Sequence, residues 1–204
     1  MKKIICLILC LSMMFGLSSS AFADTIDCDN EEIEYLTVDG VSYMYSYVYT
    51  DAWRSIKVVN TTSGKTDTVF LDIEKGELLI NNILQSNAID NGSSAEKNLP
   101  KALRGYSLLS SGSSSFSWAK NTVLAVFFAI VAAYAGCKAN IIAAGLGSVG
   151  SLLAASGGSA TVYMNIYWTG AGSNPMIYWF NWLLDVSGDS TQYGWYNYYD
   201  VVTP

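Results

Sequence analysis

Histidine is absent from all 204 residues. Its absence removes the commonest general base and the commonest metal ligand, so histidine-dependent triads and most zinc chemistry are excluded. Charge is scarce as well: Asp, Glu, Lys and Arg make up 14 % of the chain against 51 % hydrophobic residues, which is not the composition of a disordered acidic tail. No Gly-x-Gly-x-x-Gly follows a strand-like run and there is no P-loop. Asp27-Cys28-Asp29-Asn30-Glu31 and Asp185-Val186-Ser187-Gly188-Asp189 offer oxygen ligands without the spacing of an EF-hand. No two carboxylates stand out as the pair a glycosidase needs, and Cys137, beside Lys138 in an apolar run, has no base to activate it. The sequence thus predicts neither a catalytic residue, a cofactor nor a metal.

What is there begins with an address. Met1-Lys2-Lys3, the apolar run Ile4 to Leu17, then Ser18-Ser19-Ser20 and Ala21-Phe22-Ala23 are the basic, hydrophobic and small-residue parts of a secretory signal peptide, with cleavage expected after Ala23. Residues 24–204 then carry 9 basic and 17 acidic groups, a charge of -8. That balance excludes nucleic acid, whose phosphates require clustered Lys and Arg, and also simple electrostatic capture by anionic lipids. Any membrane contact must come from burying apolar surface. Cys6 and Cys10 leave with the signal, and Cys28 and Cys137 remain. In an exported chain such a pair invites a disulfide, worth about 4 to 5 kcal/mol for a loop of roughly 100 residues. The alternative is two unpaired thiols, one near the terminus and one buried.

Charge and hydrophobicity separate along the chain. Residues 24–104 hold 14 of the 17 acids and seven of the nine bases, whereas residues 121–204 hold only Lys138, Asp185, Asp189 and Asp200. The division predicts an acidic strand-rich region over 24–97, a linker over 98–117, an apolar Gly/Ala-rich helical hairpin over 118–156 and an aromatic β-meander over 157–204. Leu99-Pro100 and the run Ser110 to Ser115 carry the linker assignment, and Lys101 to Arg104 is a candidate processing site.

Alternation over Glu34 to Tyr49 reads as a strand with Tyr43, Tyr45, Tyr47 and Tyr49 on one face. Ser55–Val59, Thr66–Ile73 and Leu78–Ile80 follow as further strands, separated by turn-forming residues. The runs Trp118 to Cys137 and Ile141 to Ala155 are apolar all round, unlike ordinary surface helices. Ala143, Gly147, Ser151 and Ala155 recur at i, i+4 spacing and predict a groove where two helices approach closely. A bilayer span needs roughly 20 apolar residues; Asn121 to Cys137, flanked by Lys120 and Lys138, is 17 and at the lower limit, and Ile141 to Ala155 is 15 and falls short. The hairpin is therefore expected to be folded away in the monomer and relocated on contact with a membrane or partner, through Val123, Leu124, Phe127, Phe128, Ile130, Ile141 and Leu146. The last three strands are Thr161–Thr169, Met176–Val186 and Thr191–Val201. Tyr178, Phe180 and Trp182 share one face, with Tyr193, Trp195 and Tyr199 aligned on the next strand. The overall class is α+β, with two antiparallel meanders around a helical centre.

A signal peptide, a short acidic strand region such as Lys57-Val58-Val59-Asn60-Thr61-Thr62-Ser63-Gly64-Lys65-Thr66-Asp67, a Gly/Ala-rich helical hairpin and an aromatic terminal hairpin occur together here. This layout resembles the geobacillin-type unmodified bacteriocins and their many uncharacterised secreted relatives in Gram-positive bacteria. The resemblance covers most of the mature chain in layout and composition. It implies a secreted antibacterial protein, membrane-active against the lipid bilayer of target bacteria, and brings no catalytic residue with it. The residues themselves leave a second expectation open: a non-catalytic envelope or carbohydrate-binding protein, with sugars stacked on Tyr178, Trp179, Trp182 and Trp195.

Overall fold

The computed structural model describes residues 31–87, 105–170, 173, 175–189 and 191–202. The expected signal peptide, Cys28, the candidate processing site and the first part of the expected linker lie outside these residues.

The first sheet is a six-stranded antiparallel meander in the order β1 (Glu32–Val38), β2 (Val41–Tyr49), β3 (Trp53–Asn60), β4 (Thr66–Asp72), β5 (Glu77–Ile80) and β6 (Ile83–Asn87). Its turns are made by residues that tolerate the left-handed region. Asp39 (φ 50°) and Gly40 (φ 77°) form a two-residue hairpin connection, so the predicted single strand Glu34–Tyr49 is two strands folded back on each other. Asn81 and Asn82 do the same before β6, a strand with no counterpart in the sequence reading. Between β3 and β4, Asn60 Oδ1 accepts from the backbone N–H groups of Thr62 and Ser63, closing an Asx turn.

The second sheet has the order β10-β9-β8-β7, from β7 (Ser107–Trp118), β8 (Gly158–Trp168), β9 (Met176–Val186) and β10 (Gln192–Val202). The linker expectation is overturned over 107–117: these serines pair in register with β8 from Ser107↔Trp168 to Trp118↔Gly158. The ladder is made by backbone groups, which a Ser/Gly run supplies as well as any other. Ser115 and Thr161 add a hydroxyl contact at 2.9 Å across it.

Between the sheets in sequence lie α1 (Leu124–Ala135), α2 (Ala139–Leu146) and α3 (Val149–Ser156). The expected hairpin of two long helices is instead three helices. Gly136 adopts the left-handed region (φ 65°) and donates its N–H to the Ala132 carbonyl, ending α1. Gly147 (φ 52°) then breaks the second apolar run in two. The axes of α1 and α2 are bent by 109°.

Helix α1 is uncharged and apolar all round because it is enclosed on all sides. It packs on β3 and β4 of the first sheet, on β8 of the second, and on α2 and α3. Every residue from Ala125 to Ala135 is buried. The tyrosine stripe of β2 faces this helix, and its hydroxyls hold the helix at both ends. Tyr45 donates to the Ala125 carbonyl at 3.1 Å and Tyr49 to the Cys137 carbonyl at 2.8 Å. Tyr47 accepts from the Ala139 N–H at 3.0 Å and donates to Glu34. Arg54 donates to the Ala133 and Tyr134 carbonyls, placing a cation at the negative end of α1. A Cβ on Gly136 would lie 2.9 Å from that guanidinium, so glycine there serves both the turn and the cap.

Candidate binding surface

Sequence-derived membrane residues are mostly core. Phe127, Phe128, Ile130 and Leu146 are buried, while Leu124 and Ile141 are half-buried. Val123 is 41 % exposed, and the most exposed apolar residue of the helices is Leu152 at 72 %, which the sequence did not single out. Burying Val126, Phe127, Phe128, Ile130 and Val131 is worth about 1.5–3 kcal/mol each, together on the order of 10 kcal/mol. A domain's whole stability is about 5–15 kcal/mol. Drawing α1 out into water would therefore cost about as much as unfolding the protein, and only another apolar surrounding would repay it. Among the described residues no single helix is long and apolar enough to cross a membrane; α1 with α2 passes by length and composition only as a bent pair.

The predicted helix-packing groove is not formed. Ala143 and Ser151 are half-buried and Gly147 and Ala155 are exposed, because the break at Gly147 turns the spacing off one face. Close approach is made elsewhere: a Cβ on Gly150 would lie 2.7 Å from Phe128, and one on Gly145 would lie 2.8 Å from Trp182 and 2.9 Å from Tyr196. Cys137 is a buried free thiol whose burial pushes its pKa up, which disfavours the reactive thiolate. Among the described residues, no group of three or more Cys, Asp and Glu could hold a metal ion.

The aromatic residues of the second sheet fall on both its faces. On the face toward the helices, Val162, Leu184 and Trp182 belong to the core, and Trp182 packs on Tyr196 with ring centroids 4.7 Å apart. Register carries this face along the strands to Phe180, Tyr198, Tyr178 and Trp168. Phe180 and Tyr198 stack at 4.6 Å and 5°, Tyr178 follows Phe180 at 6.4 Å, and Trp168 stacks on Tyr178 at 6.3 Å. These four rings are half-buried, forming a strip that leads from the core to the rim. Where α2 meets β10, a cleft of ≈ 360 Å³ is lined by Ile141, Ala144, Gly145, Tyr196, Asn197 and Tyr198, with no charged side chain.

The opposite face carries a second group outside the main core: Trp179 in contact with Tyr167 (5.3 Å), Tyr199 (6.0 Å) and Tyr106 (6.0 Å). Burial raises the Tyr167 pKa. At one level of this face, register aligns Asn165 of β8, Asn181 of β9 and Asn197 of β10. Asn181 is 1 % exposed, and neither its Oδ1 nor its Nδ2 has a hydrogen-bond partner. The four aromatic residues singled out from the sequence thus separate: Tyr178 on the strip, Trp179 on the reverse face, Trp182 in the core, and Trp195 half-buried at a bulge between Gly194 and Tyr196. That bulge also places Tyr193 and Tyr199 on opposite faces, correcting the expected alignment with Trp195. Trp168 and Tyr198 were not singled out. Their signal is cross-strand: each lies beside an aromatic of β9 only once the β8–β9–β10 register is known.

Comparison of the chain with protein-family models, with curated proteins and with solved structures gives no match.

Proposed function

We propose that this is an exported, non-catalytic binding protein of the cell envelope that takes glycan on its second sheet. The observation that supports the reading is the strip Trp168–Tyr178–Phe180–Tyr198: four half-buried aromatic rings in sequence, of which Tyr198 packs against the core and the other three continue outward to the rim of the sheet. The C–H faces of a sugar stack on such rings, and the Tyr178 hydroxyl at their edge supplies a hydrogen bond.

A second reading is the bacteriocin-like one: association with the bilayer of target bacteria through the helices. Its support is the bent apolar pair α1–α2 together with the exposed Val123 and Leu152. The burial of α1 restricts that contact to the outer helical surface unless the fold opens.

One experiment separates them. The mature protein is mixed with purified cell walls, chitin and cellulose, and separately with dye-loaded vesicles of bacterial lipid. Retention on a glycan that falls at least tenfold in Trp168→Ala and Tyr178→Ala, with the far-UV spectrum unchanged, supports the first reading. No retention on any glycan refutes it, and dye release abolished by Leu152→Asp supports the second.

A further inference from the structure

We propose that the outer edge of β10 is a dimerisation surface and that its occupant is β10 of a second copy of this chain, antiparallel and centred on Asn197. Among the described residues β10, the end strand of its sheet, has only β9 beside it, leaving the outward row of N–H and C=O groups without a ladder. Sheet edges that must stay single are blunted by charge, proline or short length. In the first sheet, β1 carries Glu32 and Glu34, and β6 is five residues long. From Gln192 to Tyr199 the β10 edge has no charged residue and no proline. Its one irregularity is the bulge at Gly194–Tyr196, which limits regular pairing to about the five residues Trp195 to Tyr199.

The sequence of that stretch is symmetric about its centre: Tyr196-Asn197-Tyr198. In an antiparallel pair of identical strands, a residue on the two-fold axis meets its own copy and must be complementary to itself. Asparagine is, because its amide both donates and accepts. With Asn197 on the axis, each Tyr196 lies opposite the other copy's Tyr198 and each Trp195 opposite the other copy's Tyr199, which are aromatic cross-strand pairs. Asn197 is exposed and ends the row Asn165–Asn181–Asn197, so a second copy continues that row across the axis. Tyr199, 52 % exposed, gains a partner ring. The cleft beside α2, lined by Tyr196, Asn197 and Tyr198, lies along the same edge and gives the incoming rings space. The product is a continuous eight-stranded sheet carrying two aromatic strips on one face. This pairing does not depend on what the strips bind.

Sedimentation velocity of the mature protein over a wide concentration range tests it. The wild type is expected to move from monomer to dimer. Asn197→Lys, which sets two like charges against each other on the axis, raises the dissociation constant at least tenfold, whereas Gln192→Lys at the strand end does not. A second variant keeps the test decisive if charge disturbs folding. Paired residues of an antiparallel ladder are about 4.5–5.5 Å apart at Cα, within disulfide range, so Asn197→Cys treated with diamide forms a covalent dimer. Gln192→Cys, whose copies lie roughly 30 Å apart in this register at about 3.3 Å per residue, does not. A protein that stays monomeric at every concentration, a dimer unaffected by Asn197→Lys, or cross-linking through Gln192→Cys instead would each overturn the proposal.

Discussion

The two sheets are both antiparallel meanders joined by tight turns, and both are rich in tyrosine, but they use it differently. In the first, Tyr45, Tyr47 and Tyr49 point into the molecule, and each hydroxyl is occupied by the backbone at one end of α1 or α2. Its charges are likewise engaged locally. Lys65 pairs with Asp67, Lys75 with Asp72 across a turn, and Lys138 at the start of α2 with Glu32. In the second sheet a few aromatics, Phe116, Trp118 and Trp182, complete the core. Tyr193, Tyr196 and Tyr198 pack against that core, and the others are divided between Trp168, Tyr178 and Phe180 on the helix side and a cluster around Trp179 on the reverse. The same residue type is a structural fastener in one half and in the other is split between core packing and rings outside the core. Aromatic surface at a sheet rim, with an uncapped strand edge next to it, is what directs the functional reading to the second half.

The comparison can be broken most severely at the helix both sheets share. Phe127 is fully buried and packs on Trp118 of the second sheet with ring centroids 5.1 Å apart. Phe127→Ala is expected to destabilise by about 3–5 kcal/mol, read from urea denaturation. If the sheets are one cooperative unit around α1, tyrosine and tryptophan fluorescence report the same shifted transition; two separate transitions would show that the halves fold independently. The fastening by the first sheet is tested next by Arg54→Met, which keeps the length of the chain but withdraws the donors from the Ala133 and Tyr134 carbonyls. Leaving these without their partner costs about 1–3 kcal/mol. Burial lowers the Arg54 pKa, because desolvation disfavours its charge, so relief of that desolvation offsets part of the loss.

Much of this architecture is legible in the sequence, for reasons that explain what is not. Strand β9 is bounded by turn residues at both ends of an unbroken apolar and aromatic run, and the predicted Met176–Val186 is the observed strand. The direction of the tyrosine stripe follows from period two alone. The Asp39-Gly40 turn was hidden because residues alternate on both sides of it; the signal was the dipeptide itself, across which the apolar positions shift from even (Leu36, Val38) to odd (Val41, Tyr43). Strand β7 was illegible because its pairing lies in backbone groups while its side chains mimic a linker. The functional reading of α1 turns on a different ambiguity. An all-round apolar helix looks the same in sequence whether lipid or protein surrounds it, and only the presence of β3, β4 and β8 about it decides. For the aromatic strip, Tyr178 and Phe180 were legible within one strand, whereas Trp168 and Tyr198 join them through register, and Trp195 is displaced by a bulge that no local pattern announced.

The smallest effect sharpens the contrast most, because its sign is the reverse of the others. In the first sheet buried polar side chains are mostly partnered; in the second, the amide of Asn181 is enclosed with neither its donor nor its acceptor satisfied. A polar group buried without a partner is a net cost, and replacing it with an apolar group of similar volume recovers part of that cost. Asn181→Leu is therefore expected to stabilise the protein by about 1 kcal/mol, seen as a rise in the urea midpoint with an unchanged slope. Since Asn181 is flanked on its face by Trp179 and Leu183, an apolar replacement meets apolar neighbours along its own strand. If the variant is instead destabilised by a similar amount, the amide is fulfilling a structural bond in solution, and the second sheet is no less fully committed to its own fold than the first. If it is stabilised, Asn181 is kept in place against the interest of the fold, and the reason for keeping it lies in what the second sheet does.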